Sequence, residues 1–264
     1  MQALKKLFLI FVTVSFIACE TEVNPPDIED AEDLLVVNSV ISPALEEILV
    51  QVSISQKSFG VINNSNDLID DAVVTISNGT DEEVLNYDDE FGAYRLSTSV
   101  FPIVEGGSYR LDVVAGSRQV FGETTVPVGT VNVDSYGFDR NELEVVWQDI
   151  EGQENFYRLA AQGYVSEFEF WDLFFFDEDE FVSDINKDGK LLDAKAEVFS
   201  FGQRYDSLIV RVMTCTELYY DYYDILDEFV NDDPFADPVR LPSNINGGLG
   251  IFTSVNVTEI REAL

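Results

Sequence analysis

The heptapeptide Asp184-Ile185-Asn186-Lys187-Asp188-Gly189-Lys190 sets carboxylate or amide oxygens at alternate positions and a glycine at the sixth. Short oxygen ligands followed by a sharp turn form the front half of a loop that wraps a hard cation such as calcium. Asp184, Asn186 and Asp188 are therefore the candidate metal ligands. The twelfth position, where such a loop supplies a chelating carboxylate, is Lys195, with Asp193 and Glu197 flanking it. A plain hairpin loop is the competing reading.

Other chemistries are excluded outright. The chain has no histidine, so it holds neither a Ser-His-Asp nor a Cys-His nucleophile, and no imidazole-ligated metal. It has two cysteines, Cys19 and Cys215. Cys215 ends the apolar stretch Leu208–Met213-Thr214 and reads as a small buried hydrophobe rather than a nucleophile. Adjacent carboxylates such as Asp70/Asp71, Asp88/Asp89 and Asp232/Asp233 are expected by chance among 50 acids, and neighbours on a strand point to opposite faces. They read as surface charge, and no catalytic residue is predicted. Asp206-Ser207-Leu208 resembles a short O-glycosylation sequon, a three-residue match on a strand expected to be buried.

Cys19 carries a different chemistry. Lys5 and Lys6 precede the apolar run Leu7–Ile17, which has the layout of a secretory signal and is too short to span a bilayer comfortably. Small Ala18 permits cleavage just ahead of Cys19, whose thiol at the new N-terminus can be acylated. Cys19 is the predicted lipidation site; an ordinary signal with an incidental cysteine is the alternative. Loss of residues 1–18 removes two lysines and no acid, taking the formal charge from −35 to −37. Such acidity repels nucleic acid and anionic membrane surfaces, so no nucleic-acid partner is expected.

Two aromatic clusters are candidates for partner contact. Phe168, Phe170, Trp171, Phe174, Phe175, Phe176 and Phe181 surround Asp177-Glu178-Asp179-Glu180, and alternation breaks at Phe174–Phe176, so at least one ring faces away from the main core. Tyr219, Tyr220, Tyr222 and Tyr223 form the second cluster. Trp171, Phe174, Phe176, Tyr219 and Tyr222 are the predicted contact residues; burial in the core is the competing reading.

The elements that must position these residues are almost wholly β. Residues 19–33 form an acidic tether bearing Pro25-Pro26. Strands are predicted over 34–41, 48–54, 72–77, 83–87, 93–97, 108–115 and 120–126, separated by turns such as Ser77-Asn78-Gly79 and Glu105-Gly106-Gly107. Seven short strands at this spacing read as an immunoglobulin-like sandwich over 34–128. After Pro127-Val128-Gly129, a C-terminal β-rich domain over 129–264 is predicted, with strands at 131–138, 142–148, 156–163, 167–176, 196–201, 207–214 and 250–257. One amphipathic helix is expected over 217–231, with its cap in Thr214-Cys215-Thr216-Glu217. The fold class is all-β, with one helix.

The order of these segments resembles a lipoprotein family of the Bacteroidota, domain of unknown function 4249. Leu35–Pro43, Ile69–Ile76, the glycine–tyrosine turns Gly92-Ala93-Tyr94 and Gly106-Gly107-Ser108-Tyr109, and Thr124-Thr125-Val126-Pro127 are similar to its successive segments. Asp233–Val239 followed by Ser243-Asn244-Ile245-Asn246-Gly247-Gly248-Leu249-Gly250-Ile251-Phe252 is the most specific match. Read physically, those glycines make a tight bend leading into a core strand.

The resemblance implies an outer-membrane lipoprotein, held by its lipid on the cell surface or the periplasmic face, and accessory to a TonB-dependent transporter. Glu20 and Glu22 resemble the charged signals that send such lipoproteins to the surface. The expectation is thus a non-enzymatic, lipid-anchored protein with no certain cofactor beyond candidate calcium. A stand-alone binder of peptide, glycan or metal ion is one alternative, and a carboxylate hydrolase another.

Overall fold

Side chains alternate between buried and exposed along nearly every strand, because a pleated chain with one wet face and one packed face has a period of two. The computed structural model describes residues 34–55, 68–138, 142–176, 179–198, 205–230 and 241–264, all within one unit, Asp33–Leu264. Cys19, the signal, the whole of the tether and Asp232/Asp233 lie outside the described residues.

The first seven strands are β1 (Leu35–Ile41), β2 (Glu47–Ile54), β3 (Val73–Ser77), β4 (Glu82–Asp88), β5 (Ala93–Ser97), β6 (Ser108–Ala115) and β7 (Arg118–Thr125). Their order is β1-β2-β5-β4-β3-β6-β7. β4 changes partners along its length: Glu82–Leu85 pair with β3, and Asn86–Asp88 pair with β5. The ribbon therefore folds over on itself. Val37, Val50 and Tyr94 from one half meet Val74, Leu111 and Val120 from the other in a single core. The Tyr109 hydroxyl, near the start of β6, accepts from Val104 N (2.7 Å) and donates to Pro102 O (3.1 Å). This is the tyrosine corner of immunoglobulin-like sandwiches.

The remaining strands are β8 (Asn132–Phe138), β9 (Glu142–Gln148), β10 (Phe156–Val165), β11 (Phe170–Phe174), β12 (Phe181–Ser183), β13 (Leu191–Glu197), β14 (Ser207–Cys215) and β15 (Leu249–Ala263). A three-stranded sheet, β13-β9-β8, covers a second core against β10 and β14, built around Trp147, Tyr157, Leu159, Leu192 and Val212. β15 serves both halves: Leu249–Ser254 pair in parallel with β1, and Val255–Ala263 pair antiparallel with β14. Ile245 and Phe252, from the C-terminal end, lie in the first core. The bend before β15 is as tight as its glycines require. A Cβ on Gly250 would sit 2.2 Å from Val37 O, and Gly250 has φ +99°.

Helix α1 (Glu217–Val230) packs on the opposite face of β10 and β15, where Cys215, Tyr219 and Val255 are buried with Phe156 and Phe181 beside them. Thr216 Oγ1 accepts from Tyr219 N (3.1 Å), the N-cap expected from the sequence. Four elements differ most from expectation: β12 was not expected, β15 runs six residues past the expected end at 257, and two others are shifted. The strand placed at 196–201 runs from 191 to 197. Its inward residues after Leu192 are Ala194 and Ala196, which bury too little surface to mark a strand by pattern. The expected 167–176 strand begins at Phe170, because 166–169 form the hairpin tip.

Candidate functional site

Asp149 leaves the end of β9, and Asp184 follows β12 directly. Backbone bonds stitch the two connections together: Asp149 N donates to Lys190 O (3.0 Å) and Asp184 N to Asn155 O (3.1 Å). Gly152 N donates to Asp188 Oδ1 (2.8 Å), and Gly189 N to Asp149 Oδ2 (2.7 Å). Carboxylate oxygens of Asp149, Asp184 and Asp188 consequently lie within 4.8 Å of one another. Asp149 is 4% exposed and Asp184 2%, while Asp188 faces solvent.

The hydrogen bonding around the two buried acids is unequal. Asp149 Oδ1 accepts from the Tyr157 hydroxyl (2.6 Å), and burial together with that bond pushes the Tyr157 hydroxyl far above its ordinary value, so the proton stays on the phenol. Among the described residues Asp184 Oδ2 accepts only from Asn155 Nδ2 at 3.4 Å, an amide closer to Ile150 O (2.7 Å) and Gln153 O (3.1 Å). Among the described residues no lysine or arginine forms an ion pair with any of the three. Buried like charges this close call for a cation or a proton. An oxygen-only donor set suits calcium or magnesium rather than a soft metal.

Of the three ligands read from the sequence, Asp184 and Asp188 meet in this cluster. Asn186 has φ +64° and an exposed side chain, and its carbonyl accepts from Lys190 Nζ (3.2 Å). Sequence reasoning missed Asp149. It sits in Asp149-Ile150-Glu151-Gly152, which reads as a turn, and nothing local signals a partner 35 residues downstream.

The second candidate region is the β10–β11 hairpin. Phe168, Phe170, Trp171, Leu173 and Phe175 are exposed at its tip and along β11, with Leu173 60% and Phe175 56% exposed. Trp171 stands against Tyr164, ring centroids 4.9 Å apart. The alternate residues turn inward: Phe174 stacks on Phe138 at 5.9 Å, and Asp172 accepts from the Tyr205 hydroxyl (2.6 Å). Among the predicted contact residues, Trp171 is exposed, Tyr222 is half-buried, and Phe174, Phe176 and Tyr219 are buried. Those three hold the strand and the helix in place, and the side chains left exposed include Trp171 and its neighbour Leu173, which the sequence had not singled out. Tyr219 accepts from Arg158 Nη1 (2.6 Å), which fixes α1 to the sheet.

Cys215 is buried, and burial pushes its thiol well above the ordinary value, which suits an inert side chain. Asp70, Asp71, Asp88 and Asp89 stand at separate turns of the first half; Asp88 accepts from Arg95 Nη1 (2.5 Å). An open depression of about 580 Å³ lies beside the β3–β4 turn, lined by Asn78, Ser108, Arg110 and Thr125. Arg110 there is held by Asp112 (2.7 Å) and Glu123 (3.0 Å), leaving no free cation to grip an anion.

The family described as domain of unknown function DUF4249 matches residues 20–261. That is nearly the whole chain, and the chain belongs to this family. No curated protein matches the sequence.

Proposed function

We propose that this member of the family is a non-enzymatic, lipid-anchored envelope protein that docks through its β10–β11 hairpin onto an outer-membrane partner, a TonB-dependent transporter being the kind of partner its family resemblance suggests. The observation that carries the reading is the run of exposed Phe168, Phe170, Trp171, Leu173 and Phe175 on one hairpin. An apolar row at a sheet edge invites aggregation unless something covers it. The signal-like N-terminus and Cys19 supply the anchor, and the acidic stretch 20–33 supplies reach. The absence of histidine and the buried Cys215 support a binding role rather than catalysis.

The test is affinity purification from detergent-solubilised membranes, with the wild-type chain compared with Trp171→Ala/Leu173→Ala/Phe175→Ala. A transporter recovered with the first and lost with the second is the expected result. Equal recovery with both, or no outer-membrane partner with either, overturns docking at this hairpin. Mass spectrometry of the native product tests the anchor: an unmodified Cys19 thiol overturns it.

A second reading, a stand-alone protein that binds a divalent cation, is favoured by one observation: Asp149 and Asp184 are buried side by side without a cationic partner among the described residues. Calorimetric titration with calcium tests it. Heat from the wild-type chain and none from Asp184→Asn supports the site; no heat from either removes it.

A further inference from the structure

We infer that the partner docks by strand addition: an extended, basic segment pairs with the free edge of β11, its alternate apolar side chains lying on Trp171 and Leu173. This rests on the docking reading above and specifies its mode and the partner's chemistry.

Among the described residues β11 is the last strand of the twelve-stranded sheet, hydrogen-bonded to β10 on one side only. Which of its residues turn their backbone outward follows from two bonds at its margins. Tyr164 O accepts from Asp206 N (2.8 Å) on the β14 side, so the alternate residues Gly163 and Val165 face β11. Their register partners, Asp172 and Phe170, therefore face β10. On the far side, Phe175 O accepts from Glu197 N (3.0 Å), so Phe175 faces outward, and by alternation so do Leu173 and Trp171. Beyond the Phe175 bridge to Glu197 the edge is closed; from Leu173 back to the hairpin tip it has no strand partner among the described residues. Trp171 and Leu173, whose backbone groups face outward, also have exposed side chains. Main-chain bonds and side-chain contacts are thus offered together, as strand addition requires.

Charge selects the occupant. Glu167 and Glu169 flank Phe168 at the exposed tip, and Asp177-Glu178-Asp179-Glu180 follows the strand in sequence. No lysine or arginine pairs with Glu167 or Glu169 among the described residues, and the described cations on the same sheet face are already paired, Arg158 with Glu180 and both Arg211 and Arg261 with Glu259. A second copy of this chain would set like charges together in a protein with a formal charge of −35. A segment with lysine or arginine between its apolar residues meets both the edge and the charge.

The probe is a synthetic peptide of alternating lysine and valine, titrated onto the mature chain in detergent, with a glutamate–valine peptide as control. Expected are a shift in Trp171 fluorescence, slower amide exchange at Trp171 and Leu173, binding that weakens with salt, and nothing from the glutamate peptide. Leu173→Pro removes an outward N–H without breaking the β10 ladder, so it leaves the fold intact and weakens binding at least about tenfold, more than Leu173→Ala does. The lysine peptide N-methylated at alternate residues gives the same comparison without altering the protein. A fluorescence shift with no amide protection, and equal binding by Leu173→Pro and Leu173→Ala, overturns strand addition while docking stands. No response to the lysine peptide, or a dimer through this edge in sedimentation, also overturns it. Docking itself falls if the triple alanine variant still recovers the partner from membranes, or if neither protein recovers one.

Discussion

The Tyr157 hydroxyl donates a 2.6 Å hydrogen bond to Asp149 Oδ1, joining the floor of the second core to the buried aspartate pair. The Tyr157 ring stands edge-on to Trp147, centroids 5.5 Å apart, so one residue serves both the apolar packing and the polar cluster. Tyr157→Phe keeps the ring and removes the bond. A hydrogen bond to a charged acceptor contributes about 1.5–3 kcal/mol, and loss of that order is expected in urea denaturation near neutral pH. The native phenol is held protonated, so its contribution is present below the unfolded value of 10.0 and is lost as pH rises beyond it. Wild type should weaken steeply in strong alkali, and Tyr157→Phe less so.

The aspartate pair gives a prediction whose sign depends on the cation. With a chelator present, Asp184→Asn replaces one of two buried negative charges by a neutral side chain of the same shape. The variant should then be more stable than wild type, by about 1 kcal/mol or more, because like-charge repulsion and desolvation are both relieved. With calcium at a hundredfold excess over its dissociation constant, wild type should gain about 2.7 kcal/mol and the variant nothing. Thermal melts of both proteins in both buffers measure the crossing. Parallel shifts, or none, would show that Asp184 holds no cation.

A second pH dependence lies on β14 and β15. Burial acts to raise the Glu259 carboxyl, but hydrogen bonds from Arg261 Nε (2.6 Å) and Arg211 Nε (2.7 Å) outweigh it and hold the group below its ordinary 4.5. A depressed native value means stability that is present above the unfolded value and lost as pH falls through the native one. Glu259→Gln should therefore lower the urea midpoint at neutral pH. The gap between variant and wild type should close in acid, where both side chains are neutral.

The sequence made the strands legible wherever alternation was carried by large residues. Val37, Val50, Val52 and Ile76 mark their faces unmistakably, and the first-half strands lie within a residue or two of their predicted bounds. Alternation by alanine is a weaker signal, which is why β13 was placed several residues late. Pattern also cannot tell which of two alternating faces is covered. Phe174 and Phe176 look the same in sequence as Phe175, yet two are buried and one is exposed, because β8 and β13 cover only one side of β11. The candidate ligands Asp184 and Asp188 were legible as a local motif. Asp149 was not, since its approach to them depends on how β9 pairs with β13.

Two glycines, Gly79 in the β3–β4 turn and Gly250 at the start of β15, separate conformational freedom from close approach. Gly79 and Gly250 both have φ near +90°, so alanine at either position enters the left-handed half of φ space. At Gly79 a Cβ would meet nothing within 4 Å, so Gly79→Ala should cost only the conformational penalty, about 1–2 kcal/mol. At Gly250 the Cβ would lie 2.2 Å from Val37 O and 2.9 Å from Val37 N and C, all backbone atoms of its register partner on β1. Backbone cannot rotate aside as a side-chain tip can, so β15 must withdraw from β1 just where it joins the two halves of the molecule. Gly250→Ala should cost at least about 3 kcal/mol in denaturant unfolding, with the excess over Gly79→Ala measuring the strand contact. Hydrogen exchange should locate it: amides of Val36–Ile41 and Leu249–Ser254 lose protection in Gly250→Ala, while those of β9 and β13 keep theirs. Equal costs for the two substitutions would mean that the parallel β1–β15 pairing contributes nothing to holding the fold together.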